Sequence, residues 1–318
     1  MSADEPAAPL YVRLFDPERD FPALVNLINA IEAVDQSGEA TTEDQQRAQI
    51  AWPGRDLAQD RCVVLHPDDP QLFLGFSDSW KSPTTPTADM YVGVHPAWRR
   101  RGLGSDLLQR ALMRARAQGA ADVAIYAEAS NHASQMFLHR HGFTRIGAFA
   151  ALQMTLPPVL EAPQWPIGYT LYHFSEKADI ASLVAVLNQS YGDLFGHKLT
   201  NETTIQRWLD AEASQNILLL ADERQAVVGI CRVRPTRIEE DGREAPIGYL
   251  DAPGLVPNHR HIGLYRSLVL AGIALLRVRG HTAIVLESWG DNEGVIDAYC
   301  ELGFTRQRHF VAYRYSIA

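Results

Sequence analysis

A chain of 318 residues, 46% of them apolar and only 21% charged, is long enough for two domains of ordinary size, each able to bury its own core. A net charge of -9 at pH 7 disfavours a nucleic-acid partner, because phosphate backbones are held by an excess of Lys and Arg, and it fits a cationic acceptor better. No apolar run approaches the roughly 20 residues of a membrane helix, and Cys62, Cys231 and Cys300 have no ligand-like spacing; this argues against a metal and for a reducing compartment, the cytoplasm by default. Residues 1–9, with Asp4, Glu5, Pro6 and Pro9, have neither the basic start nor the apolar run of a signal peptide and read as a flexible tail. Asp16-Pro17-Glu18-Arg19-Asp20 can start a first helix, with room for a second after it. His66-Pro67-Asp68-Asp69-Pro70, lying between apolar runs, predicts a hairpin, and Met90 to Val94 predicts a strand.

Directly after that strand stands Arg99-Arg100-Arg101-Gly102-Leu103-Gly104. Beyond it Leu107, Leu108, Ala111, Leu112 and Ala115 fall at helical spacing, and Gly119 supplies a C-terminal cap. The glycines therefore open a helix. Backbone N–H groups in a first turn have no intrahelical partners and the dipole there is positive, so phosphate oxygens can take those bonds when no side chain blocks them. Three arginines at this end oppose the dipole, an arrangement that calls for an anion. A Walker A loop is ruled out by sequence, and a dinucleotide fingerprint by Leu107 standing where a third glycine is needed.

With Val92, Val94 and Pro96 before it, Val94 to Leu108 resembles the acetyl-CoA loop of the GNAT acetyltransferases, Arg/Gln-x-x-Gly-x-Gly/Ala between a strand and a helix. Further on, Asn131, Ser134, Phe137-Leu138 and Gly142-Phe143 resemble the family segment Asn-x-x-Ala-x-x-x-Tyr-x-x-x-Gly-Phe, with Leu138 at the tyrosine position. Val123 to Ala127 reads as the strand before it, and Glu128 stands at that strand's exit. The resemblance implies a mixed α/β (α+β) sheet covered by helices, with acetyl-CoA as cosubstrate and no metal. It implies a fourth and fifth strand that splay apart, Val92 and Val94 pairing with the pantetheine arm. Arg99, Arg100, Arg101, Gly102, Leu103, Gly104 and Ser105 would surround the diphosphate, and Asn131 would lie near the arm.

Acyl transfer from a thioester to an amine needs a group to take the amine's proton. Glu128 is the first candidate base, with His139 and His141 behind it; a helix cap or surface charge is the competing reading for each. Tyr91 or Tyr126 could stand in for the missing tyrosine, although aromatics in strands are usually packing.

Pro157, Pro158, Pro163 and Pro166 mark a linker at 157–166, and after it the pattern returns. A constant offset of 161 residues carries Gly102 onto Gly263, Gly119 onto Gly280, Asn131 onto Asn292, Gly142 onto Gly303 and Phe143 onto Phe304. The same offset sets Pro96 on Pro257, Arg99 on Arg260 and Arg116 on Arg277; earlier matches, such as Asn29 with Asn188 and Gly75 with Gly229, drift by a few residues. The chain thus reads as two tandem GNAT folds, 10–156 and 167–318. In the second, Ser175-Glu176-Lys177 can start a helix, and hairpins are predicted at Ala221-Asp222-Glu223-Arg224 and Glu240-Asp241-Gly242.

The halves divide the family's features between them. The first keeps the loop and lacks the tyrosine. The second has Tyr299 as a candidate catalytic acid, but Tyr265 stands at the last loop glycine, where bulk would obstruct a diphosphate, and Pro253-Gly254 bends its fourth strand. Asp251 and Glu287 occupy the strand regions comparable to Glu128. The expected function is an acetyl-CoA-dependent N-acetyltransferase with its cosubstrate held mainly by the first half and a small-molecule or peptide amine as acceptor, with no membrane partner. Two alternatives stay open: a CoA-sensing pair without catalysis, or catalysis by the second half, as in the mycothiol synthases, which the tandem organisation resembles. The segments Ile31 to Leu57 and Ser190 to Leu209, from which acceptor pockets are built in this fold, carry no motif, and the oligomeric state is not encoded legibly.

Overall fold

A computed structural model describes residues 11–177, 179–194, 197, 199–211, 214–240, 243–260, 263–291 and 293–317. In chain order the first half runs β1 (Tyr11–Leu14), α1 (Phe21–Asp35), α2 (Glu43–Ala48), α3 (Leu57–Asp60), β2 (Arg61–His66), β3 (Asp69–Lys81), β4 (Thr87–Val94), α4 (Leu103–Ala117), β5 (Asp122–Glu128), α5 (His132–Arg140) and β6 (Thr144–Thr155). The second half repeats it as β7 (Thr170–His173), α6 (Phe174–Lys177), α7 (Ile180–Tyr191), α8 (Glu202–Ala211), β8 (Ile217–Ala221), β9 (Val227–Glu240), β10 (Arg243–Leu255), α9 (Leu264–Val278), β11 (Ala283–Asp291), α10 (Glu293–Glu301) and β12 (Thr305–Ser316). Both tight hairpins at 67–68 and 222–226 lie where turn residues predicted them; of the third, residues 241–242 lie outside the described residues. In the second half Ser175-Glu176-Lys177 lies in the short α6, and the long helix α7 is capped by Asp179, whose carboxylate accepts from the amides of Ala181 and Ser182.

Two compact units divide the chain, Met1–Ile146 with Phe310–Ala318, and Gly147–His309. The sequence limits 10–156 and 167–318 follow the repeat; the compact units do not, because the closing strand of each half pairs in the other unit. In the first unit the sheet order is β1-β2-β3-β4-β5-β12, antiparallel except for β4 with β5, and β12 joins by seven pairs from Phe310↔Glu128 to Ser316↔Asp122. In the second it is β7-β8-β9-β10-β11-β6, antiparallel except for β10 with β11, and β6 joins β11 from Ala283↔Thr155 to Asp291↔Ala148. The linker segment 157–166 has no helix or strand and belongs to the second unit, where Arg266 bonds Glu161 and Ser267 bonds Gln164.

Alternation along the strands supplies each sheet with two apolar faces, and helices cover both. In the first unit Val63, Leu65, Phe73 and Phe76 pack under α1 with Phe21, Leu24, Leu27, Ile28 and Ile31. On the other face Val64 and Leu74 meet Leu103 and Leu107 of α4, while Val123 and Ile125 meet Leu108, Leu112, Leu138 and Phe143. Val311 and Tyr313 of β12 are buried in that same cluster, so the exchanged strand is part of the core rather than an edge. Ala148, Ala150, Leu152 and Met154 of β6 are buried likewise in the second unit.

Candidate active site

In the first unit β4 and β5 pair at Thr87↔Asp122, Ala88↔Val123 and Asp89↔Ala124 and then separate, although β4 stays on β3 as far as Val94↔Gly75 and β5 stays on β12 as far as Glu128. The result is a V-shaped gap between parallel strands. The amide of His95 bonds the carbonyl of Leu74 at 2.8 Å, which makes Val94–Gly75 a non-hydrogen-bonded pair. By alternation Val92–Ser77 is another, so the amides and carbonyls of Val92 and Val94 point away from β3 and toward the gap. One of these groups is already used: the Val94 carbonyl accepts from Arg99 Nε at 3.2 Å.

Arg99 is not aimed at the start of α4. Its guanidinium grips Asp35 at the end of α1 through two bonds of 2.8 Å, which ties that helix to the end of β4. The loop beyond it takes two left-handed residues, Arg100 at φ 66° and Gly102 at φ 86°, the second being the cap of α4. Nothing lies within 4 Å of the direction a Cβ would take from Gly102. The glycine is demanded by backbone conformation, and the space it faces is open to a ligand. Gly104 faces the other way: a Cβ there would lie 3.6 Å from the ring of Phe137 on α5. Leu103 is buried beneath the loop, the Arg101 guanidinium lies 4.6 Å from the Trp98 ring centroid, and Arg100 is exposed. The first turn closes with the amide of Ser105 on the Gly102 carbonyl at 3.0 Å, leaving the amides of Leu103 and Gly104 with no carbonyl behind them. The Ser105 hydroxyl is 3.1 Å from Nε2 of His141.

The remaining expected residues lie at the exit of β5. Glu128 Oε2 accepts from the amide of Ser130 at 2.7 Å and from its hydroxyl at 2.5 Å, so one oxygen of this carboxylate shapes the turn into α5. Asn131 caps α5 by accepting from the Ser134 amide at 3.0 Å. Leu138 is buried in the core, whereas His139 is exposed. Tyr91 and Tyr126 stand on either side of the gap just past its origin, 40% and 38% exposed. Burial pushes both phenols up to about 12, helped by Glu39, Asp35 and Glu32 at Tyr91 and by Asp89 at Tyr126. Both stay protonated near neutral pH and can donate hydrogen bonds, but neither can serve there as a base.

The second unit repeats the design with different side chains. β10 and β11 pair only from Ile247↔Ala283 to Tyr249↔Val285 before parting, and between Asp251 and Gly254 β10 carries a bulge where Pro253-Gly254 predicted a bend. Gly263 caps α9 at φ 76° with no atom within 4 Å of its Cβ direction. Arg260 repeats Arg99, its Nε on the Leu255 carbonyl and its guanidinium on Asp193. His261, Ile262 and Asn292 lie outside the described residues. The Tyr265 hydroxyl bonds that of Tyr299, which is 2% exposed and packs in the core. The expected obstruction by Tyr265 thus takes another form: the ring is directed to α10, where Ala298 stands in the place that Phe137 takes in the first unit. Arg232 and Arg234 both pair with Asp251, while Glu287 bonds the phenol of Tyr249 and, after burial, helps raise it to about 12.

Two features escaped sequence reasoning. Asp35 and Asp193 lie in the part of the repeat where the offset drifts, so their shared role as arginine partners is not visible by alignment. Asn29 exchanges two bonds with the backbone of Thr41, and Asn188 does the same with Thr200, so α1 and α7 each hold a residue twelve positions further on in the same way. The matched asparagines were the only signal of that. Among the described residues no group of three or more His, Cys, Asp or Glu is placed to hold a metal, and no helix is long and apolar enough to cross a membrane.

The sequence matches the acetyltransferase (GNAT) family twice, over residues 25–143 and 180–304. It is 28% identical to the mycothiol acetyltransferase of Thermobispora bispora over 290 residues, 89% of this chain and 92% of the relative, and 28% identical to that of Renibacterium salmoninarum over 90% and 85%. Among solved structures it is similar to a GCN5-related N-acetyltransferase from Sphaerobacter thermophilus, with a TM-score of 0.65 at 22% identity over 96% of this chain and 95% of that one. A tandem GNAT protein from the clavulanic acid biosynthesis pathway superposes with a TM-score of 0.55 at 16% identity, covering 97% and 98%.

Proposed function

Because the chain belongs to the acetyltransferase (GNAT) family over both of its halves, we propose that it transfers the acetyl group of acetyl-CoA to an amine and holds that cosubstrate in the first unit. The observation that carries this reading is the start of α4: a left-handed glycine with open space before it, two amides without acceptors, and Arg100 and Arg101 in the loop beside them. Acetyl-CoA brings the activated thioester. The chain's part is to bind and orient it, with the diphosphate on the amides of Leu103 and Gly104 and the pantetheine arm along the outward-facing backbone of Val92 and Val94. An amide on that edge can donate to the acetyl oxygen as charge gathers there.

Glu128 receives the proton of the attacking amine. Its Oε2 is engaged by Ser130, and Oε1 is the oxygen that meets the acceptor. The departing thiolate, whose thiol has a pKa of about 8.5, needs no strong acid, and with Leu138 at the tyrosine position water supplies the proton. The likeness to mycothiol acetyltransferases makes mycothiol chemistry the first place to look for the acceptor.

A second reading places catalysis in the second unit. It is favoured by the bulge beside the β10–β11 gap, by Glu287 on the Tyr249 phenol and by Tyr299 at the family's tyrosine position. Gly102→Glu and Gly263→Glu, each titrated calorimetrically with acetyl-CoA, separate the two. Loss of binding in the first variant alone is expected; loss in Gly263→Glu alone transfers the site to the second unit, and undiminished affinity in both removes the assignment.

A further inference from the structure

Ser105 is the third residue of α4, and its amide is spent on Gly102, so its hydroxyl is what it can offer an anion seated on the two amides before it. That hydroxyl meets Nε2 of His141 at 3.1 Å. The imidazole is held in place by Phe137, one turn earlier on α5 with ring centroids 4.6 Å apart, and Phe137 covers Gly104. A serine hydroxyl has one proton and two lone pairs. When the imidazole accepts that proton, none is left for a phosphate oxygen; when Nε2–H donates to Oγ, the serine proton is turned outward.

The other copy of the fold supplies a comparison. At the offset of 161 residues Ser105 becomes Arg266 and His141 becomes Leu302, and the Arg266 guanidinium is engaged by Glu161 at 2.6 Å. Hydroxyl and imidazole are absent together, as expected for two groups that work as one.

We propose that His141 is a positioning residue for the cosubstrate, donating Nε2–H to Ser105 Oγ so that the Ser105 hydroxyl donates to the diphosphate. This rests on the first-unit reading above. The test is calorimetric titration of the full-length protein with acetyl-CoA. Ser105→Ala and His141→Ala are each expected to weaken binding about tenfold, the size of one hydrogen bond to a charged acceptor. In the double variant no further loss is expected, and His141→Gln, whose side-chain amide can donate from a similar place, restores affinity. Additive losses, or a loss that glutamine does not rescue, assign His141 to packing on Phe137 and overturn the proposal. Full affinity in His141→Ala overturns it too, and if Gly102→Glu still abolishes binding in the same assay, the cosubstrate site itself stands.

Discussion

Individual carboxylates in this molecule differ sharply in what they are committed to. Asp20 is buried against Arg13, with bonds of 2.5 and 2.8 Å, and also accepts from the Asp16 amide. Burial alone would raise its carboxyl, but the Arg13 and Asp16 bonds outweigh that and hold it below the usual range. A depressed folded pKa contributes stability that is complete above the unfolded value of about 3.9 and is lost as pH falls through the folded one. Asp20→Asn should therefore cost about 3 kcal/mol at pH 7, the scale of breaking a buried pair, and progressively less as pH drops below 4; urea midpoints across pH would show it, and a constant deficit would refute it. Glu128, with one oxygen in a turn, should behave otherwise. Glu128→Gln is expected to lower thiol release from acetyl-CoA in an amine panel by roughly a hundredfold while leaving acetyl-CoA affinity intact; unaltered turnover would reduce Glu128 to a turn former. Sequence pointed to Glu128 and to the glycines because their neighbours are close in the chain. It placed Arg99 on the diphosphate because Asp35, its partner, is 64 residues away.

At the level of helices and strands, the two copies solve one packing problem in opposite ways. Where α4 meets α5, Gly104 admits the ring of Phe137; where α9 meets α10, Tyr265 stands at the glycine's position with its hydroxyl on Tyr299, and Ala298 at the phenylalanine's. Gly104→Tyr should overpack the first of these junctions and cost about 1–3 kcal/mol, and adding Phe137→Ala should recover most of the loss. Thermal unfolding of the two variants measures the coupling, and independent effects would show that the junctions are not alternatives. Element order, both short hairpins and the splay were legible from periodicity, turn residues and the family resemblance. The direction of Tyr265 was not, since it depends on which face of a helix start meets its neighbour, and a motif read as letters does not carry that.

For the molecule as a unit of folding, the decisive fact is that each half's closing strand pairs in the other compact unit. A repeat read along the sequence suggests cutting near residue 160 to obtain two domains. Such fragments would each lack the strand that seals their sheet, β12 for β5 and β6 for β11. Expressed separately, 11–156 and 167–318 should not give stable monomers, whereas co-expression should restore acetyl-CoA binding. A fragment 167–318 that unfolds cooperatively as a monomer would contradict this. Strand exchange left no trace in the sequence because both closing strands have similar patterns, and a local pattern does not specify its partner.

The matched differences between the copies, glycine with phenylalanine against tyrosine with alanine, and serine with histidine against arginine with leucine, have a genetic corollary. Each pair is split between an upstream and a downstream segment of its own repeat. A crossover or conversion tract between the two repeats that ended within this interval would import one member without its mate, leaving a ring with no hollow to enter or a hydroxyl with no imidazole to turn it. Such recombinants should be less stable or bind the cosubstrate less tightly, which would act against the copies being made alike again.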